Sequence, residues 1–295
     1  MNTRDLEYLV ALADLGHFGK AADACCVSQP ALSMQIKKLE GYLGVQLLER
    51  TNKSVSLTNT GSTIVSLARQ ILQQTEELRE TAKAASDPFG GDIRLGIFPT
   101  LGPWLLPHII PILSKSLPNI SFYLVEEKTD ILIEQLKNGV LHAAILSLPV
   151  YDKGLTASCL FEEEFLLAVP HHHPLSTAPS IQKEAIAHEK LLLLDDGHCM
   201  KHEVMNFCSQ MEHSNNDTFR ATSLEVLRHM VVAGSGITLM PKLSTEKCSL
   251  LSYIPFNKPK PIRSIGFVYK ASTSKKILFQ EMESQIIKFM GNVIK

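Results

Sequence analysis

Apolar residues in the first fifty positions recur at helical spacing in three short blocks. Leu6, Leu9, Val10 and Leu12 to Ala13 give a first amphipathic helix that closes near Gly16, and Phe18 to Ala24 give a second. The third runs through Ala31, Leu32, Ile36 and Leu39 before Gly41 and Gly44. Ser28 is suited to cap it, and Pro30 is tolerated because it falls in the first turn, where no intrahelical N–H bond is lost. A β-like stretch, Val55-Ser56-Leu57, precedes a long helical pattern from about Thr60 to Ala85. There Ile64, Ile71, Leu78 and Ala85 recur every seven residues, with Ala68, Thr75 and Ala82 between them. A heptad seam of this length predicts pairing with the same helix of a second chain, over about 40 Å. Asp87-Pro88-Phe89-Gly90-Gly91 breaks both periodicities and reads as a linker.

The remaining two thirds alternate short apolar strands with helices. Strands are expected at Ile93 to Phe98, Ser121 to Val125 and Ala143 to Leu146, with helices over Gly102 to Leu117 and Thr129 to Lys137. The pattern begins again at Phe165 to Val169 and continues through Leu191 to Leu194, a helix from Cys199, Phe219 to Thr222, and Leu224 to Val232. Such a rhythm predicts parallel sheets flanked by helices, here as two α/β subdomains with a cleft between them. Ligands in such sheets bind at the carboxyl ends of strands, and Pro99-Thr100 follows the first of them directly.

Composition narrows the class. A hydrophobic fraction of 45% and a charged fraction of 20% describe a globular chain with a substantial core. No apolar run approaches the ~18 residues that cross a bilayer, and the start, Met1-Asn2-Thr3-Arg4, lacks a signal-peptide layout, so a cytoplasmic protein without membrane association is expected. Net charge is −1, and the first 60 residues balance six Lys or Arg against six Asp or Glu. The distribution says more than the sum: no acid lies between Ala24 and Leu39, where Lys37 and Lys38 stand, nor from Thr51 to Thr75.

Two short helices joined by a tight turn, the second polar on one face, read as a helix-turn-helix whose second helix enters the major groove of double-stranded DNA. Ser28, Gln29 and Pro30 open that helix. Gln29, Ser33 and Gln35 carry amides and a hydroxyl suited to base edges, while Lys37, Lys38, Arg50 and Lys53 suit phosphates.

Six cysteines (25, 26, 159, 199, 208 and 248) in such a chain do not form a disulfide framework. Cys199 and Cys208 stand out. They lie nine positions apart in Gly197-His198-Cys199-Met200-Lys201-His202-Glu203-Val204-Met205-Asn206-Phe207-Cys208, a segment that reads as helix from Cys199 onward. Nine helical residues rise roughly 13 Å, whereas a disulfide needs Cα atoms about 4.4–6.8 Å apart. If the two sulfurs ever bond, the helix between them must refold, so oxidation here is also a conformational event. At a helix start Cys199 gains from the dipole, and Lys201 adds positive charge that favours the reactive thiolate, while Asp195 and Asp196 oppose it.

Phe18-Gly19-Lys20-Ala21-Ala22, Val27-Ser28-Gln29-Pro30-Ala31-Leu32-Ser33, Lys38-Leu39-Glu40, Leu43-Gly44-Val45-Gln46-Leu47-Leu48-Glu49-Arg50 and Leu57-Thr58-Asn59-Thr60-Gly61 together resemble the DNA-binding signature of LysR-type transcriptional regulators. The Gly197-His198-Cys199 opening with Cys208, Thr222-Ser223-Leu224-Glu225, Gly234 to Pro241 and Arg263-Ser264-Ile265-Gly266 are similar to the peroxide-sensing subfamily. The resemblance covers the whole chain. It implies a winged helix-turn-helix over residues 1–58, a dimerisation helix and hinge over 59–91, and a periplasmic-binding-protein-like redox-sensing module over 92–295. In that module subdomain I takes about 92–161 and 267–295, and subdomain II about 162–266. Carried over residue by residue, it makes Cys199 the peroxidatic thiol and Cys208 the resolving one, with Thr100, Thr129, His198 and Arg263 lining the peroxide pocket. Arg263 would then add to the positive charge beside Cys199. It implies an activator of antioxidant genes and not an enzyme. Hydrogen peroxide is then the signal, RNA polymerase a partner, a glutaredoxin- or thioredoxin-type thiol reductant the resetting agent, and a homodimer assembling to a homotetramer the functional state. No cofactor or metal is implied. The subfamily often carries Arg and Asp where this chain has Lys201 and His202, which changes the charge beside Cys199.

Other readings stay open on the residues themselves. The cysteines could be buried thiols in a regulator that senses a small organic ligand in the inter-subdomain cleft. A thiol peroxidase or disulfide oxidoreductase is disfavoured, because there is no Cys-x-x-Cys motif and an enzyme has no use for a helix-turn-helix. Cys199, His202, Cys208 and His213 are metal-ligand types but fit no standard zinc spacing. His171-His172-His173 before Pro174 reads as an exposed turn, Cys25 and Cys26 as packing residues of the helix-turn-helix, Cys159 and Cys248 as structural, and Met200, Met205 and Met211 as core.

Overall fold

The computed structural model describes residues 1–50, 55–195, 199–208, 220–246 and 248–293, in two compact units, Met1–Ser86 and Asp87–Lys295. In the first, α1 (Thr3–Leu15) starts on an Asn2–Asp5 capping box and stops where Gly16 turns left-handed at φ 60°. Helix α2 (Phe18–Ala24) follows, then α3 (Gln29–Leu43), with Ser28 Oγ capping its Ala31 N–H at 3.4 Å and Gly44 closing it at φ 70°. Leu9, Leu12, Ala21, Ala22, Leu32, Ile36 and Leu39 are buried together. The period-3.6 apolar stripes of three short helices thus meet in one core.

A two-stranded antiparallel wing, β1 (Leu48–Arg50) and β2 (Val55–Leu57), leads into α4 (Asn59–Ser86). Thr58 Oγ1 accepts the Gly61 N–H at 2.8 Å and donates to Gln46 O at 2.9 Å, so one hydroxyl caps α4 and ties it to the segment that leads into the wing. A Cβ on Gly61 would overlap the Leu47 carbonyl, which explains why the Leu57-Thr58-Asn59-Thr60-Gly61 motif ends in glycine. Gly61→Ala is therefore expected to destabilise this unit by about 1–3 kcal/mol, the usual cost of overpacking, read as a lowered urea midpoint of the full chain. Early α4 packs along α1 through buried Val65 and Ala68. Farther on, Ile71 and Leu78 of the heptad seam are 41% and 70% exposed in the single chain, an apolar stripe left uncovered among the described residues.

The second unit begins with β3 (Gly91–Ile97), α5 (Gly102–Ser116), β4 (Ile120–Glu126), α6 (Thr129–Lys137) and β5 (Ala143–Leu148). Strand β3 lies parallel to both β4 and β5. Then β6 (Leu155–Pro170) runs sixteen residues, and β7 (Leu193–Leu194), α7 (Cys199–Cys208), β8 (Arg220–Ala221), α8 (Leu224–Val232), β9 (Thr238–Pro241), β10 (Leu251–Ile254), β11 (Ile262–Lys270) and α9 (Lys276–Val293) follow. The large sheet has the order β10-β6-β11-β5-β3-β4, with β9 also on β6.

Two expectations need correcting. The sheet is mixed rather than parallel, because β11 pairs antiparallel with β5 and β6, as β6 does with β9 and β10. And the strand expected from Phe165 starts at Leu155. The run Glu162-Glu163-Glu164 hid its first half, since three consecutive acids break the apolar pattern. These acids mark a crossing point. Leu160 and Phe161 belong to a core built with α5, α6, β3, β5 and α9, whereas Phe165 to Val169 belong to a second core built with α7, α8, β9 and β10. Among the described residues no helix is long and apolar enough to cross a membrane.

Candidate functional site

Strands β3, β4 and β5 point the same way, so whatever follows them collects at one edge of the sheet. Thr100 follows β3, Thr129 opens α6 just after β4, and Ser147 lies near the end of β5. Arg263 comes to this edge from far along the chain, at the start of antiparallel β11 opposite Glu163 of β6.

The Arg263 side chain is 0% exposed and that of Glu163 2%. Arg263 Nε donates to Glu163 Oε2 at 2.8 Å, and its Nη2 lies 2.7 Å from the same oxygen. Nη1 donates to Thr100 Oγ1 at 2.8 Å and Nη2 to the Thr100 carbonyl at 3.0 Å. The Phe98 and Phe165 rings flank the guanidinium, with centroids 5.2 and 5.5 Å from its carbon. Glu163 Oε1 accepts the Leu243 N–H at 2.8 Å. A buried charge survives only when paired and fully hydrogen-bonded, and this pair meets that condition.

Arg263, expected to add positive charge to the site, also meets an opposite charge there. Its charge is matched by a carboxylate in contact, and its visible task is to fix Thr100. Thr129 Oγ1 is buried without a hydrogen-bond partner among the described residues, which leaves a hydroxyl able to bind a small polar guest at this edge.

Cys199 and Cys208 are the first and last residues of α7. No glycine or proline interrupts the helix, and Met200, Val204 and Phe207, at i, i+4 and i+7, pack into the second core. Phe207 meets Phe256 edge-on at 5.2 Å between centroids. Met205, expected in the core with Met200, is 45% exposed because it falls off that stripe. On another face Glu203 accepts a hydrogen bond from Ser147 Oγ, so the cysteine helix is fastened to β5 at the carboxyl edge. Its backbone spans roughly 13 Å between the two cysteines, beyond any disulfide. His198, Asp196, Met211 and His213 lie outside the described residues, as do the side chains of Cys199, Lys201, His202 and Cys208.

Sequence reasoning missed Glu163, Ser147, Glu203, Phe98 and Phe165. An available signal was the acid run itself, since three acids before an apolar strand need cationic partners, and Arg263 and Lys260 supply two: Lys260 Nζ sits 2.8 Å from Glu164 Oε1.

At the helix-turn-helix, Gln29, Pro30, Lys37 and Lys38 are exposed and Ser33 is half-buried on α3. Gln35 is engaged instead by α1, its amide donating to Asp5 Oδ1 at 3.3 Å, and Ser28 is occupied as the helix cap. Arg50 ends β1 with its side chain outside the described ones, and Lys53 lies outside the described residues. Cys25 is half-buried. Burial, then the charges of Glu7 and Cys26, push its thiol pKa up against the opposing pull of Arg4, which suits a packing role. Cys26 and Cys159 are exposed and Cys248 half-buried. The three consecutive histidines form a turn after β6, where His173 Nδ1 accepts the Leu175 N–H at 3.2 Å.

Comparison with known proteins covers both units. Residues 3–62 match the model of the bacterial regulatory helix-turn-helix protein, lysR family, and residues 86–283 that of the LysR substrate binding domain. The chain is 44% identical over 289 residues to the Escherichia coli K12 DNA-binding transcriptional dual regulator OxyR, covering 97% of this chain and 95% of that one. Its structure is similar to a cysteine-to-aspartate mutant of full-length OxyR from Pseudomonas aeruginosa, with a TM-score of 0.77 at 35% identity over 97% and 94% of the two chains. A hydrogen-peroxide-bound cysteine mutant of Corynebacterium glutamicum OxyR gives a TM-score of 0.66 at 30% identity over 99% and 93%.

Proposed function

The chain belongs to the LysR family of transcriptional regulators, in its OxyR group, and from that premise we propose that it is a cytoplasmic hydrogen-peroxide sensor that switches promoter contacts by oxidising Cys199. It is a DNA-binding regulator rather than an enzyme, and LysR regulators act as oligomers. The observation that carries the reading is α7: a ten-residue helix with a cysteine at each end, fastened by Glu203 to the edge where Thr100 and Thr129 gather. Helical spacing puts positions 199 and 203 on the same face of the helix.

In the proposed reaction the Cys199 thiolate attacks one peroxide oxygen. The O–O bond breaks, the departing hydroxide takes a proton to leave as water, and Cys199 becomes a sulfenic acid. The Cys208 thiolate then attacks that sulfur, a second water leaves and the disulfide closes. Two thiols are oxidised and one peroxide is reduced to two waters. Thr100, held by Arg263, and Thr129 supply hydroxyls for the peroxide, and His198 a ring nitrogen. A glutaredoxin- or thioredoxin-type reductant reverses the change.

Closing the disulfide requires α7 to unwind. Exposing Met200 and Val204 costs about 1.5–3 kcal/mol each. Moving a two-state protein from 1:99 to 99:1 takes about 5.5 kcal/mol, equivalent to about 120 mV for a two-electron couple. The costs match in scale, so oxidation by peroxide can drive the refolding. The output runs through the winged helix-turn-helix of residues 1–58, joined by the helix and hinge of residues 59–91 to the sensing module of residues 92–295. That module divides near residues 161 and 267 into subdomain I and subdomain II. Pairing of the exposed Ile71 and Leu78 stripe gives a dimer that reads two half-sites, and two dimers give the tetramer, with RNA polymerase as the downstream partner.

Footprints of reduced and peroxide-treated protein on one promoter test the reading, and they should differ. Cys208→Ser is expected to bind DNA like the reduced protein, to accumulate a trappable sulfenic acid at Cys199, and to lose the footprint change. Peptide mapping of peroxide-treated wild type that finds no Cys199–Cys208 link would sink the mechanism.

A further inference from the structure

Behind the Glu162–Glu164 run lies a cavity of about 640 Å³. Trp104 and His108 of α5, Lys242 and Leu243 of the turn after β9, and Phe289 and Met290 of α9 line it, with the acids of β6 as its floor. Small-molecule sites of this kind run from about 300 to 1,000 Å³ and are mostly apolar with a few polar groups. The rings of His108 and Phe289, both in the lining, stack on each other, 22° apart with centroids at 5.8 Å.

Charge selects among guests. Glu163 is neutralised by Arg263 and Glu164 by Lys260. Lys242 and Glu162 remain, one of each sign, both exposed at the rim and neither in an ion pair among the described residues. The lining therefore carries no net excess of either sign. It also shares a group with the site at the sheet edge. Leu243 of the wall donates its N–H to Glu163 Oε1, and the other oxygen of Glu163 holds Arg263, which holds Thr100.

We propose that this cavity is a second ligand site, for a flat, uncharged aromatic molecule with a hydrogen-bonding edge. Its occupancy reaches the peroxide-reactive edge through Leu243, Glu163 and Arg263. The second half of the proposal rests on the peroxide-sensing function above; the binding half does not.

Trp104 is the only tryptophan in the chain and lines the cavity, so its fluorescence reports occupancy. The reduced full-length protein is titrated with 4-nitrobenzamide, a flat neutral aromatic that quenches indole emission. Saturable quenching is expected, with affinity about fivefold weaker in His108→Ala, which removes one ring of the stack at an exposed position. In parallel, the rate at which peroxide forms the Cys199–Cys208 disulfide is followed with and without saturating 4-nitrobenzamide. A change of at least about threefold is expected in the wild type, and a smaller one in His108→Ala at the same concentration. Quenching that rises linearly and equally in both proteins overturns the site. Saturable quenching with an unchanged oxidation rate overturns the link through Glu163. If no disulfide forms even without the probe, the peroxide mechanism fails and the link with it, while the titration still decides the cavity.

Discussion

Cys199→Ser is expected to leave a protein whose DNA footprint is the same before and after peroxide, with the wild-type change lost entirely. The size of the effect follows from the chemistry. A thiolate is the nucleophile in the first step, and a serine hydroxyl does not ionise near neutral pH. The N-terminal position of Cys199 in α7 supplies part of the activation. A helix dipole contributes about 0.3–1 kcal/mol, up to about 2 in favourable geometry, and 1.4 kcal/mol is one pKa unit. That effect works in the direction of the reactive thiolate. Arg263 is itself matched by Glu163 in contact. Under the proposed mechanism Lys201 is expected to add to that activation. The measurement is a footprint series on Cys199→Ser, Cys208→Ser and wild type. A surviving peroxide response in Cys199→Ser would transfer the sensing to another thiol, of which Cys26 and Cys159 are exposed among the described residues.

The second large effect concerns stability. Arg263→Ala strands the Glu163 carboxylate in a buried site, and breaking such a pair from one side costs about 3–5 kcal/mol. The urea midpoint of the sensing unit should fall accordingly. Replacing both partners with apolar residues of similar volume, Arg263→Met with Glu163→Leu, is expected to recover most of that loss, since neither charge is then stranded. The remaining deficit is the Leu243 N–H without its acceptor and the Thr100 carbonyl without its donor, about 1–3 kcal/mol each. The stable double variant should still respond poorly to peroxide, because Thr100 loses both of its guanidinium donors. A double variant as unstable as Arg263→Ala would show that the pair does more than hold charge. One that is stable and fully peroxide-responsive would remove Thr100 positioning from the mechanism.

The helices were legible wherever the signal is local. Ser28 before Pro30, Gly16 and Gly44 after apolar stripes, and the seven-residue repeat of the long helix each act within a turn or two of backbone. The long helix formed within one residue of its expected bounds, while the first starts three residues early and the third runs four residues past Leu39. The first half of β6 was not legible, because Glu162 to Glu164 look like a solvated run until Arg263 and Lys260 are placed opposite them. Gln35 misled for the same reason, since a half-buried amide looks like a base reader until Asp5 of another helix meets it.

The sequence by itself determined the conflict at the heart of this protein. The rise per residue of a helix is set by backbone geometry alone, so two cysteines nine positions apart are too far to bond in the fold their own segment prefers. Only the tertiary structure decided what that helix is fastened to and what stands beside it. Ser147 meets Glu203 across 56 positions and Glu163 meets Arg263 across 100, and strand register and packing choose such partners from many chemically equivalent residues. A charge in a sequence states that a partner is needed, and the fold settles which one it gets.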